Sequence, residues 1–310
     1  MSSAVVASAV LAVAALGPTA ASAQWGADYF PNVALTTQDG KVVHFYDDLL
    51  KGKKVAVNLI YTRCTSTCPL ETAKLSQVKK LLGDRVGKDL FFVSISIDPD
   101  HDTPQVLKAY SEKFHAGDGW TFVTGDENDI KLIAKKLGLS SITDAKNRDG
   151  HQPALMIGDV DSANWMRNSA VDNPQFLAST ITNFFGFKKS GVKMVNYAEG
   201  VKNFKQPDQG EYMFQTRCAA CHTIGKGDSV GPDLAGLTSR REKAWVARYL
   251  HEPEQMLAEK DPVAVELYNK YKQVRMPNLG LSHDEIAALL GQIEKLSPPA
   301  QKTARNLAMP

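Results

Sequence analysis

Short apolar runs alternate with amphipathic stretches through the first part of the chain. Val55–Tyr61, Leu90–Ile97, Thr121–Val123 and Ala154–Ile157 read as strands. Leu70–Leu82, Pro104–Phe114, Ile130–Leu137 and Gln175–Phe185 carry apolar residues at helical spacing. Strands alternating with helices predict an α/β sheet with helical cover. Beyond residue 207 the pattern changes. Ala244–Leu250 and His283–Leu296 keep a helical period and no strand pattern appears, so an all-α unit is expected there. Lys188-Lys189-Ser190-Gly191 breaks the first pattern, and Lys202–Pro207 is polar. The expected division is therefore a first domain at 24–190, a linker at 191–206, a second domain at 207–297 and a tail at 298–310. The 310 residues suffice for two ordinary domains.

The chain opens on a third pattern. Ala4–Leu16 is a mostly apolar run, too short for a membrane span, and Ala21-Ser22-Ala23 supplies small residues of the kind signal peptidases cut behind. Residues 1–23 are expected to be a signal peptide, with Gln24 as the mature start. No Lys or Arg precedes the apolar run, and an uncleaved N-terminal anchor is the alternative; membrane association is expected only in that case. Both readings place the domains outside the cytoplasm, in the periplasm. Composition changes the picture little. The apolar share of 43% is ordinary for globular protein, and a net charge of +2 is too small to imply nucleic acid or an anionic membrane surface as partner.

Chemistry enters with the cysteines, of which the chain has four. Cys218-Ala219-Ala220-Cys221-His222 has the Cys-x-x-Cys-His spacing of c-type haem attachment, in which two sulfurs bond the porphyrin edge and the histidine faces the iron. A zinc half-site or a redox pair has the same cysteine spacing. Zinc needs about four ligands, and no further cysteine lies nearby to supply them. After the motif come the turn-rich Gly231-Pro232-Asp233-Leu234-Ala235-Gly236-Leu237, the Ala244–Leu250 period, Arg275-Met276-Pro277 and the final amphipathic run. In that order the segment from about residue 207 to 297 resembles class I cytochromes c. The resemblance implies one covalent haem c on Cys218 and Cys221, iron held by His222 and Met276, and Pro232 orienting His222 through its carbonyl. A thioether is a soft ligand that favours the ferrous state and raises the potential. Met213 and Met256 compete with Met276, but both sit in helical patterns where methionine fills cores.

Cys64 and Cys68 stand between the strand pattern ending near Tyr61 and the helix pattern opening at Leu70. A strand feeding a cysteine pair at a helix start is the arrangement of thioredoxin-like folds. Here the spacing is Cys-x-x-x-Cys, so both sulfurs can face one side and either close a disulfide or share a soft metal ion. Tyr61-Thr62-x-Cys64-x-x-x-Cys68-Pro69, then Ser96-Ile97-Asp98-Pro99-x-x-Asp102-Thr103-Pro104, then Thr124-Gly125, then Gly150-His151 follow one another in order. In these pieces the stretch from about Asp28 to Phe187 resembles the Sco/SenC family of copper-binding, thioredoxin-like proteins. It departs from the family after the histidine, where Gln152-Pro153 precedes the strand. The resemblance implies one copper ion held by Cys64, Cys68 and His151. Thiolates select Cu(I), and an imidazole also tolerates Cu(II). His101 and His115 are rival histidines and read as solvated. Asp98 and Asp102 read as caps of the helix beginning at Thr103-Pro104, with hydrogen bonding behind the site as the alternative.

Three functions fit these motifs. The first is a copper chaperone with a fused electron carrier, assisting assembly of the copper centre of a respiratory haem–copper oxidase, with that oxidase's copper-site subunit or another copper protein as partner. The second is a thiol–disulfide oxidoreductase, with Cys64 and Cys68 as the redox pair and another protein as redox partner. The third is a plain electron-transfer protein. Haem and copper each move one electron whereas dithiol oxidation moves two, which favours the first, a metallochaperone rather than an enzyme.

Overall fold

The computed structural model describes residues 26, 28–65, 67–139, 153–187 and 208–297. The expected signal peptide, linker, tail and His151 lie outside them. Among the described residues seven strands make one sheet: β1 (Ala34–Thr37), β2 (Val42–His44), β3 (Lys54–Ile60), β4 (Leu90–Ser96), β5 (Trp120–Gly125), β6 (Ala154–Asp159) and β7 (Asn164–Ser169), in the order β2-β1-β5-β4-β3-β6-β7. The central strands β5, β4 and β3 are parallel, with Val57 opposite Val93 and Val93 opposite Thr121. The flanking pairs are antiparallel.

Parallel neighbours need crossovers, and two helices supply them. α1 (Cys68–Leu82) joins β3 to β4, and α2 (Pro104–Lys113) joins β4 to β5. α3 (Glu127–Lys136) follows β5, and α4 (Pro174–Phe184) follows β7. The alternation of a strand divides β3 between two cores. Val55, Val57 and Leu59 join Phe45, Ile95 and Ile133 on one face of the sheet. Ala56 and Ile60 join Leu75, Val78, Leu107 and Ile181 on the other. β3 is buried along almost its whole length, so it reads as a continuous apolar run rather than an alternating one.

The remaining elements are helical. α5 (Gln209–Met213) runs into a wider turn at Phe214–Cys218, followed by α6 (Leu237–Arg240), α7 (Lys243–His251), α8 (Pro253–Ala258), α9 (Pro262–Lys270) and α10 (His283–Leu296). α10 starts with a capping box: Glu285 N–H donates to Ser282 Oγ at 3.3 Å, and Ser282 N–H donates to the Glu285 carboxylate at 2.8 Å. Ile286, Leu289, Leu290 and Ile293 of α10 pack on Met213 and Phe214. The crossing is close at Gly210, where a Cβ would lie 2.2 Å from the Ala288 carbonyl oxygen.

The two halves touch. Gln77 Nε2 on α1 donates to the Ala219 carbonyl at 2.8 Å. Val230 is buried in the core formed by α1, α2 and α4, and Ala220, Cys221 and Val274 pack against it. Among the described residues no helix is long and apolar enough to cross a membrane.

Candidate functional site

Cys64 lies in the turn that leaves β3, and Cys68 is the first residue of α1. In an open α/β sheet this position, beyond the carboxyl ends of the parallel strands, is where ligands bind. Cys68 N–H donates to Cys64 Sγ at 3.4 Å, so the pair sits side by side as the four-residue spacing requires. Both side chains are buried. Burial pushes the Cys68 thiol well up from its ordinary value, and its hydrogen bond with Cys64 and the nearby Glu71 push the same way. A group that binds thiolates here must therefore displace protons.

The turn is held from below. Asp102 Oδ1 accepts from Thr62 Oγ1 at 2.5 Å, and its Oδ2 accepts from Thr62 N–H at 3.1 Å and from Ser96 Oγ at 2.5 Å. Burial raises the Asp102 carboxyl, and these hydrogen bonds oppose the rise. Asp98 Oδ2 accepts from Arg63 Nε at 2.9 Å and Nη2 at 2.6 Å. The helix-capping expectation for Asp98 and Asp102 is thus corrected. Thr103 caps α2 by accepting from Val106 N–H, and the two carboxylates instead fix the Thr62-Arg63 step in front of Cys64. Tyr110 adds a prop from α2, its hydroxyl lying 3.2 Å from the Cys68 carbonyl oxygen and 2.9 Å from Thr72 Oγ1.

Cys64 borders a cavity of about 430 Å³. One wall comes from Arg63, His101, Tyr110 and Lys113, and the other from Tyr268, Gln273, Val274 and Arg275 of the helical half. His101 is exposed, as expected, yet it stands on the rim of this cavity. His115 is exposed. Among the described residues no three His, Cys, Asp or Glu side chains gather as a metal cluster.

The second site grows from the turn at Cys218. Cys221 N–H and His222 N–H both donate to the Cys218 carbonyl, at 3.0 and 2.9 Å, which sets the two sulfurs and the ring one turn apart. His222 Nδ1 donates to the Pro232 carbonyl at 2.9 Å. A carbonyl only accepts, so the hydrogen sits on Nδ1 and Nε2 keeps its lone pair for a metal. Burial lowers the His222 pKa, the Pro232 carbonyl opposing, and this too favours a neutral ring. Gly231 allows the chain to pass across that ring, since a Cβ there would lie 2.7 Å from His222 Cε1. Burial alone would raise the Asp233 carboxyl, but hydrogen bonds from the N–H groups of Ala235, Gly225 and Gly227 bring it down to about 2, pinning the loop.

A crevice runs from His222 to Met276, with Pro232, Tyr249, Tyr268 and Val274 on its sides. Met213 and Met256 are buried and border none of it. The donor set suits a His/Met-ligated haem: one imidazole nitrogen free, one thioether on the same crevice, two cysteines beside the histidine. Tyr268, Val274 and Arg275 line this crevice and the cysteine cavity alike, so a single segment separates the two sites. The sequence marked the end of this segment through Arg275-Met276-Pro277, but nothing in it pointed to Tyr268 or Val274, or to the segment's second face toward Cys64.

Each half of the chain matches a known family. Residues 22–157 match the SCO1/SenC family model, and residues 207–297 match that of cytochrome c. The chain is a Sco domain fused to a cytochrome c domain. Among its relatives, the SCO1 protein homolog of Bacillus subtilis is 34% identical over 102 residues, 32% of this chain and 51% of that protein. A putative copper-binding protein of Stutzerimonas stutzeri is 31% identical over 112 residues, 35% of this chain and 52% of that protein. The chain thus spans about half the length of the curated relatives it matches, from 47% to 51% among the first of them. A SCO1/SenC family lipoprotein from Bacillus anthracis superposes with a TM-score of 0.44 at 28% identity, over 52% of this chain and 96% of that one. Arabidopsis thaliana ScoI with copper bound gives 0.43 at 23% identity, over 52% and 99%.

Proposed function

We propose that the Sco domain takes one copper ion as cargo on Cys64, Cys68 and His151, and that the cytochrome c domain exchanges single electrons with that site. Cys218 and Cys221 would hold the haem as thioethers, with His222 and Met276 on the iron. Haem, when bound, supplies one electron at a time, which matches the Cu(I)/Cu(II) couple. The chain's own residues set the conditions. Asp102 and Asp98 hold Thr62-Arg63 and so the Cys64 turn. His222 is fixed as a neutral donor by Pro232. His151 follows by resemblance to Sco/SenC proteins. The recipient is the copper-site subunit of a respiratory haem–copper oxidase or another copper protein of the cell envelope, where this exported chain would act.

The observation that carries the reading is the shared wall. Tyr268, Val274 and Arg275 line both cavities, so the two sites are neighbours across a shared wall, which supports electron transfer between them. Rapid mixing tests it. Reduced full-length protein is loaded with Cu(II), and haem oxidation is followed at several protein concentrations. A concentration-independent rate that disappears in a Cys64→Ser, Cys68→Ser variant is expected. A rate proportional to protein concentration, or one that survives loss of both cysteines, would leave the fusion as simple co-delivery.

One observation favours thiol–disulfide exchange as a second activity. Cys64 borders the cavity while Cys68 lies wholly buried behind it, which is how an attacked and a resolving sulfur are arranged.

A further inference from the structure

The cavity in front of Cys64 has an unusual charge. Arg63, Lys113 and Arg275 line it together with His101, and among the described residues no aspartate or glutamate does. Two of the cations are balanced from outside the lining, Arg63 by Asp98 and Arg275 by Glu254. Lys113 has no carboxylate partner among the described residues. Lys113 lines the cavity, and desolvation and then the neighbouring charge of Lys272 lower its pKa, as expected of a cation with no counter-charge beside it. The rest of the lining is largely apolar, with Pro69, Val106, Ala109, Phe114 and Val274. An anionic head beside Lys113, a short apolar stem and a group that reacts at Cys64 would satisfy every part of it.

We propose that this cavity is a docking site for a small anionic thiol that reduces a Cys64–Cys68 disulfide. The proposal rests on the reading of these cysteines as the copper site, because an oxidised pair holds no copper and the haem delivers electrons singly. The step balances as follows. The bound thiolate attacks the sulfur of Cys64, the cysteine that borders the cavity. A bond forms between the two sulfurs, the Cys64–Cys68 bond breaks, and Cys68 leaves with the electron pair and takes a proton. A second molecule of thiol attacks the first one's sulfur in the mixed disulfide, freeing Cys64 as a thiol and releasing a symmetrical disulfide. Two small thiols lose two electrons and two protons in all, and the cysteine pair gains them. The second wall of the site, Tyr268 to Arg275, comes from the cytochrome c domain, so the site belongs to the fused chain.

The test uses oxidised, haem-bearing full-length protein and three probes: 2-mercaptoethanesulfonate (anionic), 2-mercaptoethanol (neutral) and cysteamine (cationic). Mass spectrometry counts alkylated Cys64 and Cys68 over time, and each rate is divided by the probe's rate with a small free disulfide. The anionic probe is expected to exceed the cationic one by about tenfold, as a partly desolvated charge allows. Lys113→Glu should reverse the order. Lys88→Glu makes the same charge change just ahead of β4, at the other end of the sheet, and should leave the order alone. A normalised ranking that is flat, or the same in wild type and Lys113→Glu, would overturn the proposal. Copper titration of phosphine-reduced protein separates the two readings. Normal Cu(I) binding with a flat ranking overturns the thiol site alone, whereas absent Cu(I) binding overturns the copper site and this proposal with it.

Discussion

At the residue scale two side chains answer to sharp measurements. Met276 borders the same crevice as His222, and both rival methionines are in cores. In the haem-bearing protein, Met276→Ala should abolish the weak sulfur-to-iron absorption and lower the reduction potential, since the replacement ligand suits ferrous iron less well. An unchanged spectrum and potential would put another residue on the iron. Glu71 is the second. It is wholly buried on α1, one turn past Cys68, where burial pushes its carboxyl from 4.5 up to about 8, Asn58 opposing and Cys64 adding to the rise. The folded state then keeps a proton that the unfolded chain releases. The stability this gives is full below about pH 4.5 and is lost as pH rises through about 8, a change on the order of several kcal/mol. Glu71→Gln should flatten the difference in urea-unfolding free energy between pH 5 and pH 8. Equal pH dependence in both proteins would show that Glu71 is ionised in the fold.

At the element scale the tightest joint is the crossing of α5 and α10. A Cβ at Gly210 would lie 2.2 Å from the Ala288 carbonyl oxygen and 2.9 Å from Gln292 Cβ, and neither helix backbone can yield there cheaply. Gly210→Ala should destabilise the cytochrome c domain by about 1–3 kcal/mol, read as a lower unfolding midpoint of the haem absorbance. An unchanged midpoint would mean that the helices can part without loss. Element by element, the sequence was legible where the period was long. β3, α1, β4, α2 and α10 fall within a residue or two of expectation, because each carries a sustained apolar pattern. β1 and β2 have only four and three residues, too few for a period to register. β7 is an edge strand with polar Asn164, Arg167, Asn168 and Ser169, so it looks like loop. Asp98 and Asp102 misled for a different reason. Their position beside Thr103-Pro104 is what a cap looks like locally, but their partners Thr62 and Arg63 are more than thirty residues away.

At the scale of the whole molecule, the decisive feature is that the two domains meet at the cysteine end of the sheet. Cys-x-x-x-Cys and Cys-x-x-Cys-His could each be read alone, but no periodicity encodes which surfaces face one another. Joining the partners in one chain would hold them at an effective concentration in the millimolar range, enough to make even weak contact frequent. The hydrogen bond from Gln77 Nε2 to the Ala219 carbonyl joins α1 of the Sco domain to the Cys218–Cys221 turn of the cytochrome c domain. Gln77→Glu sets a carboxylate against that carbonyl, so the donor becomes a repelling acceptor. The concentration-independent rate of haem oxidation by bound Cu(II) is expected to fall severalfold. Cu(I) affinity and the haem spectrum should stay as they were, because Gln77 borders neither cavity. Raising ionic strength should deepen the defect little, since the loss is of one short-range contact rather than of long-range attraction. A Gln77→Glu protein that transfers electrons at the wild-type rate would mean that the domains exchange electrons in some other orientation.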